Sequence, residues 1–129
     1  MKREEFEKLV EEGFLAIPEK FRAKLKNVAF LVEGEPSLET RKKEGLSEDE
    51  TLLGLYTGIP AIARGDNYGV GMTMPDTITI YQNPIEEEAG SDVARLKEIV
   101  CDTVWHEVAH YLGLDEEEVG RREKERGVR

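Results

Sequence analysis

The stretch His106-Glu107-Val108-Ala109-His110, close to the C-terminal end, constrains this chain more than any other. On an α-helix, residues four apart lie one turn apart on the same face, so His106 and His110 can present two imidazoles to one metal ion. Glu107 is rotated only modestly from that pair. Its carboxylate can reach a water on the open side of the metal without being a ligand, where a zinc hydrolase needs its general base. With two histidines in 129 residues, chance sets them four apart with a glutamate after the first roughly once in four hundred such chains. The bland alternative is a surface helix carrying two solvated histidines.

A catalytic zinc ordinarily takes three protein ligands. The sequence continues Tyr111-Leu112-Gly113-Leu114-Asp115-Glu116. Gly113 can adopt the left-handed conformation that ends a helix and turns the chain back toward the metal. Glu116 is then the choice for third ligand, and Asp115 is the neighbour that could replace it. Asp115 and Glu118 also have the spacing of a helix cap, which gives the acidic run 115–118 a purely structural reading. Asp102, one turn before His106, is placed to orient that imidazole by accepting its free N–H; an exposed carboxylate is the commoner outcome. Cys101 lies about 140° round the helix from His106 and reads as a buried structural cysteine.

The whole pattern HExxHxxGxxE resembles the HExxHxxGxxH signature of metzincin peptidases, with Glu116 at the third histidine's position. Metzincins also carry a methionine turn downstream, whereas Met1, Met72 and Met74 all precede the motif here. A closer resemblance is to the short bacterial minimal zincin family of predicted metallopeptidases, in which an acidic residue holds that third position. Phe6-Glu7-Lys8-Leu9-Val10, Asn27-Val28-Ala29, Leu53-Gly54-Leu55-Tyr56-Thr57-Gly58-Ile59-Pro60 and Pro75-Asp76-Thr77-Ile78-Thr79-Ile80-Tyr81-Gln82-Asn83-Pro84-Ile85-Glu86 look similar as well. The resemblance implies an α/β (α+β) zincin-like fold, with a small mixed sheet packed on the long motif-bearing helix. It also implies Zn2+ as cofactor and a peptide or protein as substrate, with no particular sequence specified.

Two other readings compete. Endoribonucleases with an HxxxHxxGxDH motif have similar spacing, and Leu112-Gly113-Leu114-Asp115-Glu116 looks like part of it. Glu107 argues against them, and so does a net charge of −10, which repels a polyanion. The other is a non-catalytic zinc-containing domain that binds a peptide or partner.

The length suits one domain spanning residues 1–129, and the charge gives no reason to expect nucleic acid or anionic membrane as partner. A single cysteine allows no internal disulfide. No apolar run approaches membrane-spanning length, and Met1-Lys2-Arg3-Glu4-Glu5 lacks the apolar segment of a signal peptide, so a cytoplasmic location is expected. Charged residues make up 36% of the chain while asparagine, glutamine and cysteine are scarce, a bias expected of a thermophile.

Along the chain, Phe6, Leu9, Val10 and Phe14 predict an amphipathic helix over residues 3–14, and Pro18 the first turn of a short second helix bearing Phe21 and Leu25. Val28 to Val32 reads as a buried strand. Residues 33–50 read as a long polar loop, with a capping box and helical turn at Ser47 to Glu50. Leu52 to Ile62 forms a second strand region, and Thr77 to Tyr81 a strand with one buried face that Asn83-Pro84 ends. In the zincin-like fold that the resemblance implies, an edge strand holds the substrate backbone in extended form, and Leu55 to Ile59 and Thr77 to Tyr81 are the two candidates for it. Residues 64–71 are a glycine-rich turn without phosphate-loop spacing. Ser91 is expected to cap a helix from Asp92 to Leu112, roughly 32 Å long, with Val93, Leu96, Val100, Val104 and Val108 as its core stripe. Tyr56, Tyr68, Tyr81 and Tyr111 are the available phenols for stabilising an oxyanion.

If Glu116 is a ligand, Glu116→Ala lowers zinc affinity by orders of magnitude and Glu116→His restores it. Asp115→Ala, the control, costs about 1 kcal/mol of stability as a lost cap and leaves the zinc alone. Titration with a zinc indicator separates the two. Loss of zinc from the Asp115 variant alone would move the third ligand one residue earlier.

Overall fold

The computed structural model describes residues 1–58 and 76–114. Within them the order is α1 (Arg3–Leu15), α2 (Glu19–Arg22), β1 (Val28–Glu33), α3 (Leu38–Lys43), β2 (Gly54–Thr57), β3 (Asp76–Tyr81), α4 (Gln82–Ala89) and α5 (Val93–Leu112). The sheet order is β1-β3-β2, with β1 parallel and β2 antiparallel to β3. One face of this small mixed sheet packs against α5, giving an α+β architecture built on the long motif-bearing helix.

The core forms where the helical and strand periodicities meet. Phe6, Leu9 and Val10 of α1 are buried, with Ile78 and Ile80 of β3 and Val100, Val104 and Val108 of α5. Trp105 is fully buried and lies 5.3 Å from the Phe21 ring, so it fixes α5 in rotation about its own axis. Burying a side chain of that size contributes on the order of 3 kcal/mol. Gly13 lets α1 approach α5 closely: a Cβ there would lie 3.5 Å from Cys101 Cα and from Val104 Cγ2. Cys101 is therefore at the helix interface, though only partly buried.

Several expectations need correction. The α5 cap is Asp92, whose side chain accepts from the Arg95 N–H at 3.1 Å, one residue later than Ser91. Val93, assigned to the core stripe, is 58% exposed, while Leu96, Val100, Val104 and Val108 of that stripe are buried. β1 is an outer strand of the described sheet; Val28, Phe30 and Val32 pack on the core while Leu31 faces outward. β3 is buried on both faces, since Thr79 and Tyr81 are covered as well as Ile78 and Ile80. The expected loop at 33–50 contains α3, capped by Ser37, which accepts from the Thr40 N–H. Glu50 does accept from the Ser47 N–H at 2.9 Å, closing a turn there without a helix. Asn83-Pro84 lies inside α4, in the first turn, where the missing proline N–H has no helical partner to lose. The glycine-rich turn at 64–71 lies outside the described residues.

Asp92→Ala is expected to cost about 1 kcal/mol and Ser91→Ala close to nothing. Urea denaturation of both variants checks this. Equal losses would return the cap to Ser91.

Candidate metal centre

From Asp102 to Leu112 most of the circumference of α5 is buried, and what remains partly open over that span is the stripe Asp102, His106 and His110, spaced by four. Because Trp105, Val108 and Tyr111 lock the opposite side into the core, the two imidazoles are held on one outward line. Their ring centroids are 4.5 Å apart at 63°. His106, Glu107 and His110 each offer a ligand atom, all within 4.8 Å of one another. His110 is the more open of the histidines, and Glu107 is buried at 6% exposure. Two imidazoles and a carboxylate form the nitrogen and oxygen donor set that suits a borderline ion such as zinc.

What holds Glu107 is the sheet edge. Tyr81 N–H donates to the Leu53 carbonyl at 2.9 Å, so these two residues are a hydrogen-bonded antiparallel pair. Alternation then makes Leu55 opposite Thr79 and Thr57 opposite Thr77 hydrogen-bonded pairs, while the main-chain groups of Gly54 and Tyr56 face away from β3. The outward Tyr56 N–H donates to Glu107 Oε1 at 2.9 Å. The same oxygen lies 3.4 Å from His110 Nδ1. Burial pushes the Glu107 carboxyl above its ordinary value, opposed by His110, His106 and the Tyr56 N–H.

Gly54 makes this approach feasible. A Cβ at that position would sit 2.8 Å from Thr103 Cγ2, 3.2 Å from Glu107 Cγ and 3.2 Å from the Thr79 carbonyl oxygen. A cleft of about 340 Å³ opens beside it, lined by Thr51, Leu52, Leu53, Asp102, His106 and Glu107 among others. Asp102 thus shares a wall with His106. Glu116 and Asp115, the expected third ligand and its alternative, lie outside the described residues.

Of the two candidate edges, Thr77 to Tyr81 is excluded because β3 is paired on both sides. Leu55 to Thr57 lies in β2, at the end of the described sheet, with Ile59 outside the described residues. Two of the four phenols are engaged elsewhere, Tyr56 donating to Asp76 at 2.8 Å and Tyr111 bridging the N–H and carbonyl of Lys26, and Tyr81 is buried. Tyr68 lies outside the described residues. The Tyr56 N–H has no signature in the sequence, because any residue but proline supplies one. Gly54 did have a signal, since a glycine inside a strand marks close approach of another segment.

Gly54→Ala is expected to destabilise the protein by about 1 to 3 kcal/mol, because Thr103 and Glu107 must move or the strand must lift. Gly13→Ala is the comparison: its added methyl makes only ordinary contacts, and helix propensity favours it by about 0.5 to 1 kcal/mol. Thermal or urea unfolding decides, and a neutral Gly54→Ala would mean that β2 and α5 are not wedged together there.

Residues 25–126 match the sequence profile of the zincin-like metallopeptidases. Among solved structures, a conserved hypothetical protein from Thermo thermophilus is similar, with a TM-score of 0.55 and 27% identity over 93% of this chain and 99% of that one. No curated protein matches. Among the described residues, no helix is long and apolar enough to cross a membrane. With the profile spanning most of the chain and a His-Glu-His cluster on its long helix, the protein belongs to the zincin-like metallopeptidase family.

Proposed function

We propose that this protein is a zinc-dependent peptidase in which His106 and His110 hold the metal, Glu107 is the general base and Glu116, or Asp115 in its place, completes the ligand set. The observation that supports it is the placing of the Glu107 carboxylate between the His110 imidazole and an outward main-chain N–H of β2. Zinc held by His106 and His110 would supply Lewis acidity to activate the attacking water and polarise the scissile carbonyl.

The protein's own groups do the rest. Tyr56 N–H and the packing of Gly54 against Glu107 Cγ hold the carboxylate in one orientation, so little reorganisation is needed when it takes a proton. Beside the metal ligands, the same carboxylate would take the water's proton and pass it to the departing amine. With the Tyr56 N–H given to Glu107, the outward main-chain groups of Gly54 and the Tyr56 carbonyl are what β2 offers a peptide backbone lying in extended form beside these residues. A carboxylate in this position favours peptide hydrolysis over the ribonuclease reading, as does the acidic surface.

His106→Ala and His110→Ala are each expected to lose most of the roughly one zinc bound per chain. Glu107→Gln is expected to retain zinc and to lose turnover of a mixed peptide pool by a factor of about a hundred or more. Metal analysis and mass spectrometry of the pool are the measurements. Full zinc in both histidine variants would remove the site, and zinc loss in Glu107→Gln would make Glu107 a ligand instead of a base. Equal turnover by wild type and Glu107→Gln would remove Glu107 as the base, and zinc binding without turnover by wild type would leave a zinc-binding, non-catalytic domain.

A further inference from the structure

Two cavities flank β2, one on each face of the sheet. Gly54 and Tyr56 face α5: a Cβ on Gly54 would meet Thr103 and Glu107, and the Tyr56 ring stands edge-on to Tyr111 at 5.8 Å. Side chains alternate along a strand, so Leu55 and Thr57 face the other way. There they form, with Glu39, Thr40, Lys43 and Glu44, a groove of about 380 Å³ between β2 and α3. The cleft beside His106 and Glu107 is of similar size, about 340 Å³.

A peptide lying extended along β2 carries its own side chains alternately to the two faces. A side chain that enters the α5 cleft therefore has neighbours directed to the α3 groove. Leu55 provides an apolar floor for an aliphatic stem. The rim carries two carboxylates, Glu39 and Glu44, against one ammonium, Lys43, in a chain of net charge −10. We propose that the groove between α3 and β2 is a second side-chain subsite, selecting a long basic residue next to the one that occupies the cleft at His106 and Glu107. This rests on the peptidase reading above, and it makes α3 a determinant of specificity.

The test uses zinc-loaded Glu107→Gln, which binds without cutting, and capped alanine heptapeptides bearing one leucine, with lysine or norleucine scanned through the other positions. Fluorescence anisotropy is expected to show one position where lysine binds about fivefold tighter than norleucine at low salt, fading as salt rises. Glu39→Gln with Glu44→Gln reduces that preference to below about twofold. Thr57→Trp fills the groove and weakens peptides with either long side chain there, but not those with glycine. Zinc content, measured in every variant, is expected to stay unchanged. A lysine preference that survives all three substitutions, or no preference at any position, overturns the subsite. If wild type cleaves peptides and the groove variants change nothing, the subsite falls and the peptidase reading stands. If zinc is bound and no peptide binds or is cut, both fall.

Discussion

The hydrogen bond from the Tyr56 N–H to Glu107 Oε1 joins the two elements from which the candidate site is built, a strand end and the long helix. It has a geometric precondition and an energetic one. Geometrically, β2 must come within van der Waals contact of α5, and Gly54 is the residue that permits it. Energetically, a buried carboxylate without a partner costs several kcal/mol, and the Tyr56 N–H offsets part of that cost alongside the two imidazoles. Function and stability thus share one contact. A zincin-like protein with a side chain at position 54 would have to separate strand from helix and give up the bond.

The histidines owe their direction to residues that carry no chemistry. Trp105, Val104 and Val108 are wholly buried, and each fixes the helix's rotation against α1, α2 or the sheet. Rotation by one residue position, about 100°, would bury an imidazole and expose the indole. Tyr111 reinforces the same setting by holding the Lys26 backbone with its hydroxyl while its ring packs against Tyr56. Replacing buried apolar residues around the motif would therefore disturb the candidate site without touching a donor atom.

How much of this was legible in the sequence follows from what kind of signal each feature leaves. The long helix, the α1 stripe and the left-handed stop at Gly113 (φ 75°) were readable, because apolar spacing and a glycine in the right place are local. α3 was not, since its six residues bury no side chain and so write no apolar stripe. α4 was hidden by Pro84, which reads as a strand stop and is equally at home in a helix's first turn. The pairing that sets β3 between β1 and β2 is non-local, and Thr77-Ile78-Thr79-Ile80-Tyr81 alternates like a half-exposed strand although both its faces are covered. Of the candidate site, His106, Glu107 and His110 were legible as a pattern. The groups that position Glu107 belong to a main chain 51 residues away in sequence, and no side-chain pattern encodes them.

The placing of the cluster along α5 adds an electrostatic consequence. His110 lies in the last helical turn and His106 in the turn before, where the carbonyl end of the helix carries partial negative charge. Gly113 closes that end: its N–H bonds the His110 carbonyl and the Leu114 N–H reaches the Ala109 carbonyl, both at 3.0 Å. These bonds satisfy two of the terminal carbonyls but do not cancel the dipole, which favours a cation nearby and disfavours the Glu107 anion. Burial acts on Glu107 in the same direction, so without a cation its charged form is held by the Tyr56 N–H and the two histidines. A divalent ion at His106 and His110 would relieve both unfavourable effects at once. Metal affinity at this candidate site and the ionisation of Glu107 would therefore be coupled, because a cation bound there would favour the Glu107 anion.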